Sequence, residues 1–258
     1  MKIRFLGTGT STGNPEIGCM CEVCTSQDTR DRRWRASALI EVDGRTILID
    51  CGPDFRMQML ETFKERRIER LDGVLLTHEH YDHTAGLDDL RFFSKNTPVP
   101  VYAQHDVLEA IRVRMPYVFA EKRYPGIPKM QLREIEGGVP FFVNGVEIMP
   151  VCVMHGWLPV LGFRIGNMAY LTDVKTIPES AYPSLQELDV LVINALREKE
   201  HISHQTTRDA LRQIEKIRPR RSYLIHMSHH FGLHEEMQQK MPENVWIAYD
   251  GLEVELNN

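Results

Sequence analysis

The stretch LLTHEHYDHTAGL, Leu75 to Leu87, sets His78, His80, Asp82 and His83 inside six residues directly after an apolar run. Imidazoles and carboxylates are ligands for divalent metals. His78 and His80, two apart on a loop leaving a strand end, can converge on one ion while Asp82 and His83 turn toward another. Four ligands so close together suit two metals, which lie about 3.5 to 4 Å apart when they share a bridging oxygen and act on one displacement. A surface histidine cluster, or a helix start at Asp82 to Thr84, is the other reading of these residues. A second constellation, GCMCEVC, places Cys19, Cys21 and Cys24 in a CxCxxC loop. That spacing is too tight for ordinary disulfides and suits thiolate coordination of zinc, which needs a fourth ligand to complete a tetrahedron. Buried or redox-active cysteines are the alternative. In HISHQTTRDALRQI, Thr206 or Thr207 can cap the helix that follows, which puts His204 near a helix N-terminus, where anions are favoured.

The elements that must position these groups follow from apolar periodicity. Runs bounded by turn signals predict strands at Ile3 to Leu6, Ala38 to Val42, Thr46 to Ile49 and Gly73 to Thr77, with VDGR as a hairpin turn. Further strands are expected at Val99 to Tyr102, Val146 to Val153, Leu161 to Ile165, Ala169 to Thr172, Val190 to Ile193, Ser222 to Ile225 and Val245 to Tyr249. Helical spacing covers Asp54 to Arg66, Thr84 to Ser94, Asp106 to Arg114, Thr206 to Ile217 and His234 to Lys240. Hairpin strands that later interleave with helices, in two similar halves, predict an α/β chain folded as an αββα sandwich. YDGLEV near residue 250 reads as another hairpin turn, with Asp250 able to approach the site.

With 258 residues and 42% hydrophobic content, the chain can bury a large core. No linker, repeat or low-complexity tract divides it, so a single domain over residues 1–258 is expected. The N-terminal apolar stretch is too short for a secretory signal and no run reaches bilayer length, so a soluble cytoplasmic protein with no membrane partner is expected. The net charge of -5 gives no general pull toward nucleic acid. The basic clusters RDRRWR (Arg30 to Arg35), KERRIER (Lys64 to Arg70) and RPRR (Arg218 to Arg221) read as solvated faces. Five cysteines, three of them within six residues, do not form a secreted disulfide framework. Cys51 and Cys152 lie in apolar runs and read as core residues.

THEHYDH resembles the HxHxDH signature of the metallo-β-lactamase superfamily, whose fold is the αββα sandwich. The resemblance implies three further ligands at strand ends, found here as His155 in VMHG, Asp173 in LTDVK and His226 in LIHMSHHF. It implies that His78, His80 and His155 hold one ion, that Asp82, His83 and His226 hold the second, and that Asp173 bridges them. Asp50 in ILIDCG would orient a ligand histidine. Two divalent ions, Zn or Mn, would leave the site with about one positive charge once the aspartates and a bridging hydroxide are counted, which suits an anionic substrate. The bridging hydroxide is then the expected nucleophile, with Asp82 at the reaction centre.

The CxCxxC loop is similar to the extra zinc site of the phosphoribosyl cyclic phosphodiesterases of the carbon-phosphorus lyase pathway. There the fourth ligand lies three residues after the last active-site histidine, which here is His229, so one structural Zn is implied. Phosphodiesterase branches also carry a histidine matching His204. Expelling an alkoxide calls for a proton or a strong electrostatic clamp, so His204 is the general-acid candidate and His201 its rival. SHQTT resembles the tRNA 3′-processing endonucleases about as well, but those insert a long basic arm between the third histidine and the bridging aspartate. His155 and Asp173 are only 18 residues apart. A dinuclear metal-dependent hydrolase of a small nucleotide or sugar phosphodiester, cyclic ones included, is therefore expected, with nucleic acid not a partner and a homodimer left open. Two other activities stay open: a thioester or lactam hydrolase of the same fold, and an oxidative cofactor-biosynthesis protein, since the pyrroloquinoline quinone pathway includes a similar fold with a similar CxCxxC. Met115 to Lys129 and Trp157 could rim the pocket, with Tyr117, Phe119, Tyr124 or Trp157 stacking a base or sugar, or could serve as core and loop anchors.

Overall fold

Apolar side chains at every position of a strand need cover on both faces, and that need explains the layering. In β1 (Lys2–Gly7), β2 (Ser37–Val42) and β3 (Arg45–Ile49), residues two apart share a face. Ile3, Phe5, Ala38, Ile40, Ile47 and Ile49 face inward to a core between two sheets, while Leu6, Leu39 and Leu48 face outward to helices. The computed structural model describes residues 1–122 and 124–256.

The first sheet continues through β4 (Gly73–Leu75), β5 (Val99–Ala103) and β6 (Met130–Glu134). The second holds β7 (Phe141–Val143), β8 (Val146–His155), β9 (Leu158–Ile165), β10 (Met168–Leu171), β11 (Val190–Asn194), β12 (Arg221–Ile225) and β13 (Val245–Ile247). Finally β14 (Glu253–Glu255) returns to the first sheet beside β1. The orders are β14-β1-β2-β3-β4-β5-β6 and β13-β12-β11-β10-β9-β8-β7. Helices are α1 (Glu22–Thr25), α2 (Phe55–Glu65), α3 (Tyr81–Thr84), α4 (His105–Arg114), α5 (Pro116–Phe119), α6 (Thr207–Ile217) and α7 (His234–Gln238). The first sheet's outer face packs on Phe55 and Met59 of α2 and on Val107, Leu108 and Ile111 of α4. The second sheet's outer face packs on Ala210, Ile214 and Ile217 of α6 and Met237 of α7. The expected αββα sandwich is the observed fold, and burying each of these Ile, Leu or Phe side chains contributes about 2 kcal/mol.

Strand direction decides where the chemistry collects. β3 and β4 are parallel, β8 and β10 both run antiparallel to β9, and β10, β11 and β12 are parallel. The residues just past β3, β4, β8, β10 and β12 therefore emerge at common sheet edges, where ligand sites of α/β sheets form.

Several expectations need correction. The helix expected over Thr84 to Ser94 is instead the single turn α3 followed by a 3-10 run, Leu87–Phe92. The His83 carbonyl, needed for the next helical bond, accepts from Cys51 N at 2.8 Å, and the helix stops. Strands β6, β7 and β14 were not anticipated. VDGR is the hairpin turn expected, with Asp43 and Gly44 at φ 49° and 70°. YDGLEV is not a hairpin, since it carries the chain from β13 of one sheet to β14 of the other. Asp250 is turned away from the histidines, accepting from Thr8 Oγ1 at 2.7 Å and Trp34 N at 2.6 Å. RDRRWR is no solvated face either: buried Arg33 donates to Thr8 Oγ1 and to the Ala248 carbonyl, and Arg35 pairs with Asp54. No described helix is long and apolar enough to cross a membrane.

Candidate metal centres

The loop after β4 brings His78, His80, Asp82 and His83 to the sheet edge, where His155 ends β8, Asp173 follows β10 and His226 follows β12. Asp50, Asp173 and His226 all adopt left-handed backbone, at φ 59°, 57° and 58°. Asp and His tolerate that region better than most residues, and it turns each chain sharply out of its strand so that the side chain faces the cleft.

Asp82 Oδ2, His83 Nε2, Asp173 Oδ2 and His226 Nε2 form one four-cornered set. His83 Nε2 lies 3.1 Å from both carboxylate oxygens, and His226 Nε2 lies 3.3 Å from Asp173 and 3.6 Å from Asp82. A tetrahedral ion with bonds near 2.0–2.1 Å has ligand-to-ligand edges of about 3.3 Å. Both His83 Nε2 and His226 Nε2 are buried yet make no aligned hydrogen bond. Two buried ring nitrogens without a partner, set this close to two carboxylate oxygens, are the donor arrangement that a cation satisfies. His78, His80 and His155 make a second group. Asp173 faces both: its Oδ2 belongs to the first set, while its Oδ1 lies 4.0 Å from His155 Nε2.

Supporting bonds orient the rings. Asp50, fully buried, lies 2.7 Å from His83 Nδ1 and accepts from Thr77 N and Oγ1. Thr77 Oγ1 also meets His78 Nδ1 at 2.9 Å, and the Ser203 carbonyl accepts from His155 Nδ1 at 2.9 Å, so each ring presents Nε2 to the cleft. Thr172 Oγ1 donates to Asp173 Oδ2, and Asn194 pins the backbone of Val174 with both ends of its amide. Of these only Asp50 was expected from sequence. Thr77 was detectable as the residue between strand and HxHxDH, whereas Ser203 acts through a carbonyl and leaves no side-chain signal. Burial pushes the Asp50 carboxyl up and the His78 and His155 imidazoles down. Burial works against charge at His83 as well, but Asp82, Asp173 and Asp50 together hold it well above its usual range. A proton there occupies the place that a metal would take.

The His204 ring stacks 4.8 Å from His226 and lies tilted 4.6 Å from His155, with Nδ1 3.7 Å from Asp173 Oδ1, within ligand reach of the cluster. Burial pushes it down to about 3. His201 stands one ring farther out, 5.1 Å from His204, with its Nδ1 engaged by Ser203. Thr206, rather than Thr207, caps α6, in a reciprocal capping box with Asp209. Lys175 Nζ ties the loop down through the His201 and His204 carbonyls.

Cys19, Cys21, Cys24 and His229 form a separate cluster, with His229 Nδ1 3.3 Å from the sulfurs of Cys19 and Cys21. Three sulfurs and one imidazole nitrogen, all within 4.8 Å of one another, are a donor set that fits zinc. Glu16 Oε2 lies 3.1 Å from His229 Nε2 and would fix the ring. Cys51 is buried in the core beneath α2, and Cys152 packs partly buried between the sheets.

Among the proposed rim aromatics, Phe119 packs on the helix-side core and Tyr117 donates to Asp88 at 2.6 Å, while Tyr124 and Trp157 are exposed. Arg123 of that stretch lies outside the described residues. A cavity of about 600 Å³ lies elsewhere, between the 29–34 loop, α2 and the 250–251 turn, and shares no residue with either cluster.

A family model described as a beta-lactamase superfamily domain matches residues 45–227. An octanoyltransferase of Porphyromonas gingivalis is 48% identical over 98% of this chain and 51% of that protein. The chain spans about half the length of the curated relatives it matches. A solved diphosphatase of the PhnP family superposes with a TM-score of 0.90 at 35% identity, over 98% of this chain and 96% of that one. Zn²⁺-bound PqqB from Methylobacterium extorquens superposes at 0.77 and 21% identity, over 99% and 100%, a likeness of fold alone.

Proposed function

This chain belongs to the beta-lactamase superfamily, and from that membership we propose that it is a dinuclear metal-dependent hydrolase of a small phosphodiester. The observation that carries the proposal is the meeting of seven His and Asp side chains at strand ends, with the two oxygens of Asp173 facing different ligand groups. Mixed imidazole and carboxylate donors suit zinc or manganese. His78, His80 and His155 would hold one ion, Asp82, His83 and His226 the other, and Asp173 both. When bound, such a pair supplies Lewis acidity and a nucleophile drawn from water at neutral pH.

The remaining work falls to this chain's own groups. Asp50 holds His83 in one tautomer, and the Ser203 carbonyl does the same for His155. Burial keeps His204 neutral in the free protein, with Asp173 opposing. An anionic phosphoryl group beside the ring favours its protonated form, and the ring then holds the proton that the departing oxygen takes. Cys19, Cys21, Cys24 and His229 would hold one structural zinc.

A phosphoric anhydride is the second substrate reading, favoured by the 35% identity to a diphosphatase. The test strips metal with chelator, restores Mn²⁺ or Zn²⁺, and assays cyclic and linear phosphodiesters, a diphosphate ester and an acyl thioester. Metal-restored turnover on phosphodiesters is expected. Turnover of the thioester alone, or of nothing, overturns the proposal. Within it, His204→Ala should lower kcat far more for a poor leaving group than for nitrophenolate, and equal losses would remove the proton-holding role.

A further inference from the structure

Five of the six most exposed large apolar side chains among the described residues lie in the loops of the two clusters: Ile17, Met20, Trp157 (82%), Ile202 (72%) and Tyr81 (71%). The last three stand on three separate segments, each within two residues of a cluster histidine: Tyr81 between His80 and Asp82, Trp157 after His155, and Ile202 beside His201 and before His204. Residues of the polar, cation-attracting centre are thus flanked along the chain by apolar side chains left in water.

Trp157 is the largest of these and stands on a stiff support. It occupies the β8–β9 turn beside Gly156 (φ +63°), where a Cβ would lie 3.5 Å from Ser203 Cβ and 3.7 Å from the Ile202 carbonyl, so the two turns are in contact. His155 Nδ1 donates to the Ser203 carbonyl, and Lys175 Nζ holds the same loop at His201 and His204. An indole on such a turn offers a flat face at small entropic cost, since only two side-chain torsions are ordered. The other aromatics once open for this role are otherwise engaged or sit on the segment after α5: Tyr117 bonds Asp88 and Phe119 packs on the core.

We propose that Trp157 is the specificity-determining residue of the site, stacking a flat ring of the substrate's organic group, so that nucleoside phosphoesters are selected over bare sugar phosphates. This rests on the phosphoesterase reading above. The charge at the cluster takes the phosphoryl group, and the indole, two residues after His155 along the chain, takes the ring. Stacking of a base on an aromatic side chain changes binding by about 5- to 150-fold on alanine substitution, without regard to which base it is.

The test uses the Mn²⁺-loaded protein and three probes: inorganic phosphate, ribose 5-phosphate and adenosine 5′-monophosphate. Binding is read by calorimetry and by quenching of tryptophan emission, in the wild type, Trp157→Ala and Trp157→Phe. The nucleotide should bind about 5- to 150-fold more tightly than ribose 5-phosphate. Trp157→Ala should erase that advantage, and Trp157→Phe should retain most of it while losing the quenching. Equal binding of nucleotide and sugar phosphate in the wild type, or an advantage that survives in Trp157→Ala, overturns the proposal while leaving the phosphoesterase reading intact if inorganic phosphate binds. Failure of all three probes to bind overturns both.

Discussion

Gly52 offers the sharpest test of how the metal-ligand loop is held. The segment after β3 passes beneath α3, and a Cβ built on Gly52 would lie 2.0 Å from the carbonyl oxygen of Asp82 and 3.1 Å from its carbonyl carbon. Real Cβ contacts do not fall below 3.0 Å, so Gly52→Ala must push backbone from backbone by about 1 Å. The displaced atom belongs to a candidate ligand residue, whose Oδ2 sits 3.1 Å from His83 Nε2. Neither side yields freely. Cys51 N donates to the His83 carbonyl and Gly86 N to the Cys51 carbonyl, both at 2.8 Å, and moving the loop instead breaks bonds worth about 1 kcal/mol each. A site of this kind tolerates roughly 0.5 Å of misplacement, and a displacement near 1 Å costs on the order of 100-fold in rate. Gly52 has no positive φ, so the effect is one of contact alone. Gly44→Ala is the control, with φ +70° and nothing within 4 Å, costing about 1 kcal/mol of backbone strain far from the cleft. The assay is kcat/KM on a nitrophenyl phosphodiester, with metal content by elemental analysis and melting by circular dichroism. Gly52→Ala should lose roughly 100-fold in activity, and Gly44→Ala should lose stability only. Activity within a few-fold of wild type and full metal content in Gly52→Ala would refute the packing argument.

Three other outcomes are expected. Asp50→Asn removes the carboxylate 2.7 Å from His83 Nδ1 and should weaken metal binding about 10- to 100-fold in competition with a chromophoric chelator, whereas unchanged affinity denies the orienting role. His229→Ala should release one zinc per chain and lower Tm, by roughly 2–4 °C for each kcal/mol lost; an unchanged zinc count would count against the cysteine cluster as a metal site. Burial pushes the Asp250 carboxyl up to about 7, with Trp34 N, Thr8 and Arg33 opposing. Since its folded value lies above its ordinary 3.8, its contribution is full below that value and declines as pH rises to about 7. Denaturant melts of wild type and Asp250→Asn should therefore diverge in the variant's favour between those limits, and parallel curves would show that the group titrates as in the unfolded chain.

Local pattern carried what local forces decide. Apolar runs at Ile3 to Leu6 and Ala38 to Val42 implied strands, and because side chains on a pleated strand alternate whatever its partner, such runs place apolar groups on both faces. HxHxDH implied a metal loop because four ligands in six residues have few other uses, and a threonine ahead of helical spacing announced the start of α6, although only the structure decided for Thr206 over Thr207. Short edge strands such as Phe141 to Val143 left no such signal. They are ordered by the neighbour they pair with, here β8.

Contacts between segments far apart in the chain were decided only by folding. The sequence places Asp82, His83, Asp173 and His226 on three segments spread over more than half the chain, and cannot say that their donor atoms close to 3.1–3.6 Å. That closure depends on parallel strand ends sharing an edge and on left-handed backbone at Asp50, Asp173 and His226. The same holds for Arg33, read from a run of basic residues as solvated and found buried against Thr8, Ala248 and His234. Residue type and spacing set what a side chain can bind. Which atoms it meets depends on the packing of two sheets, a sum of many weak contacts that no short window of sequence contains.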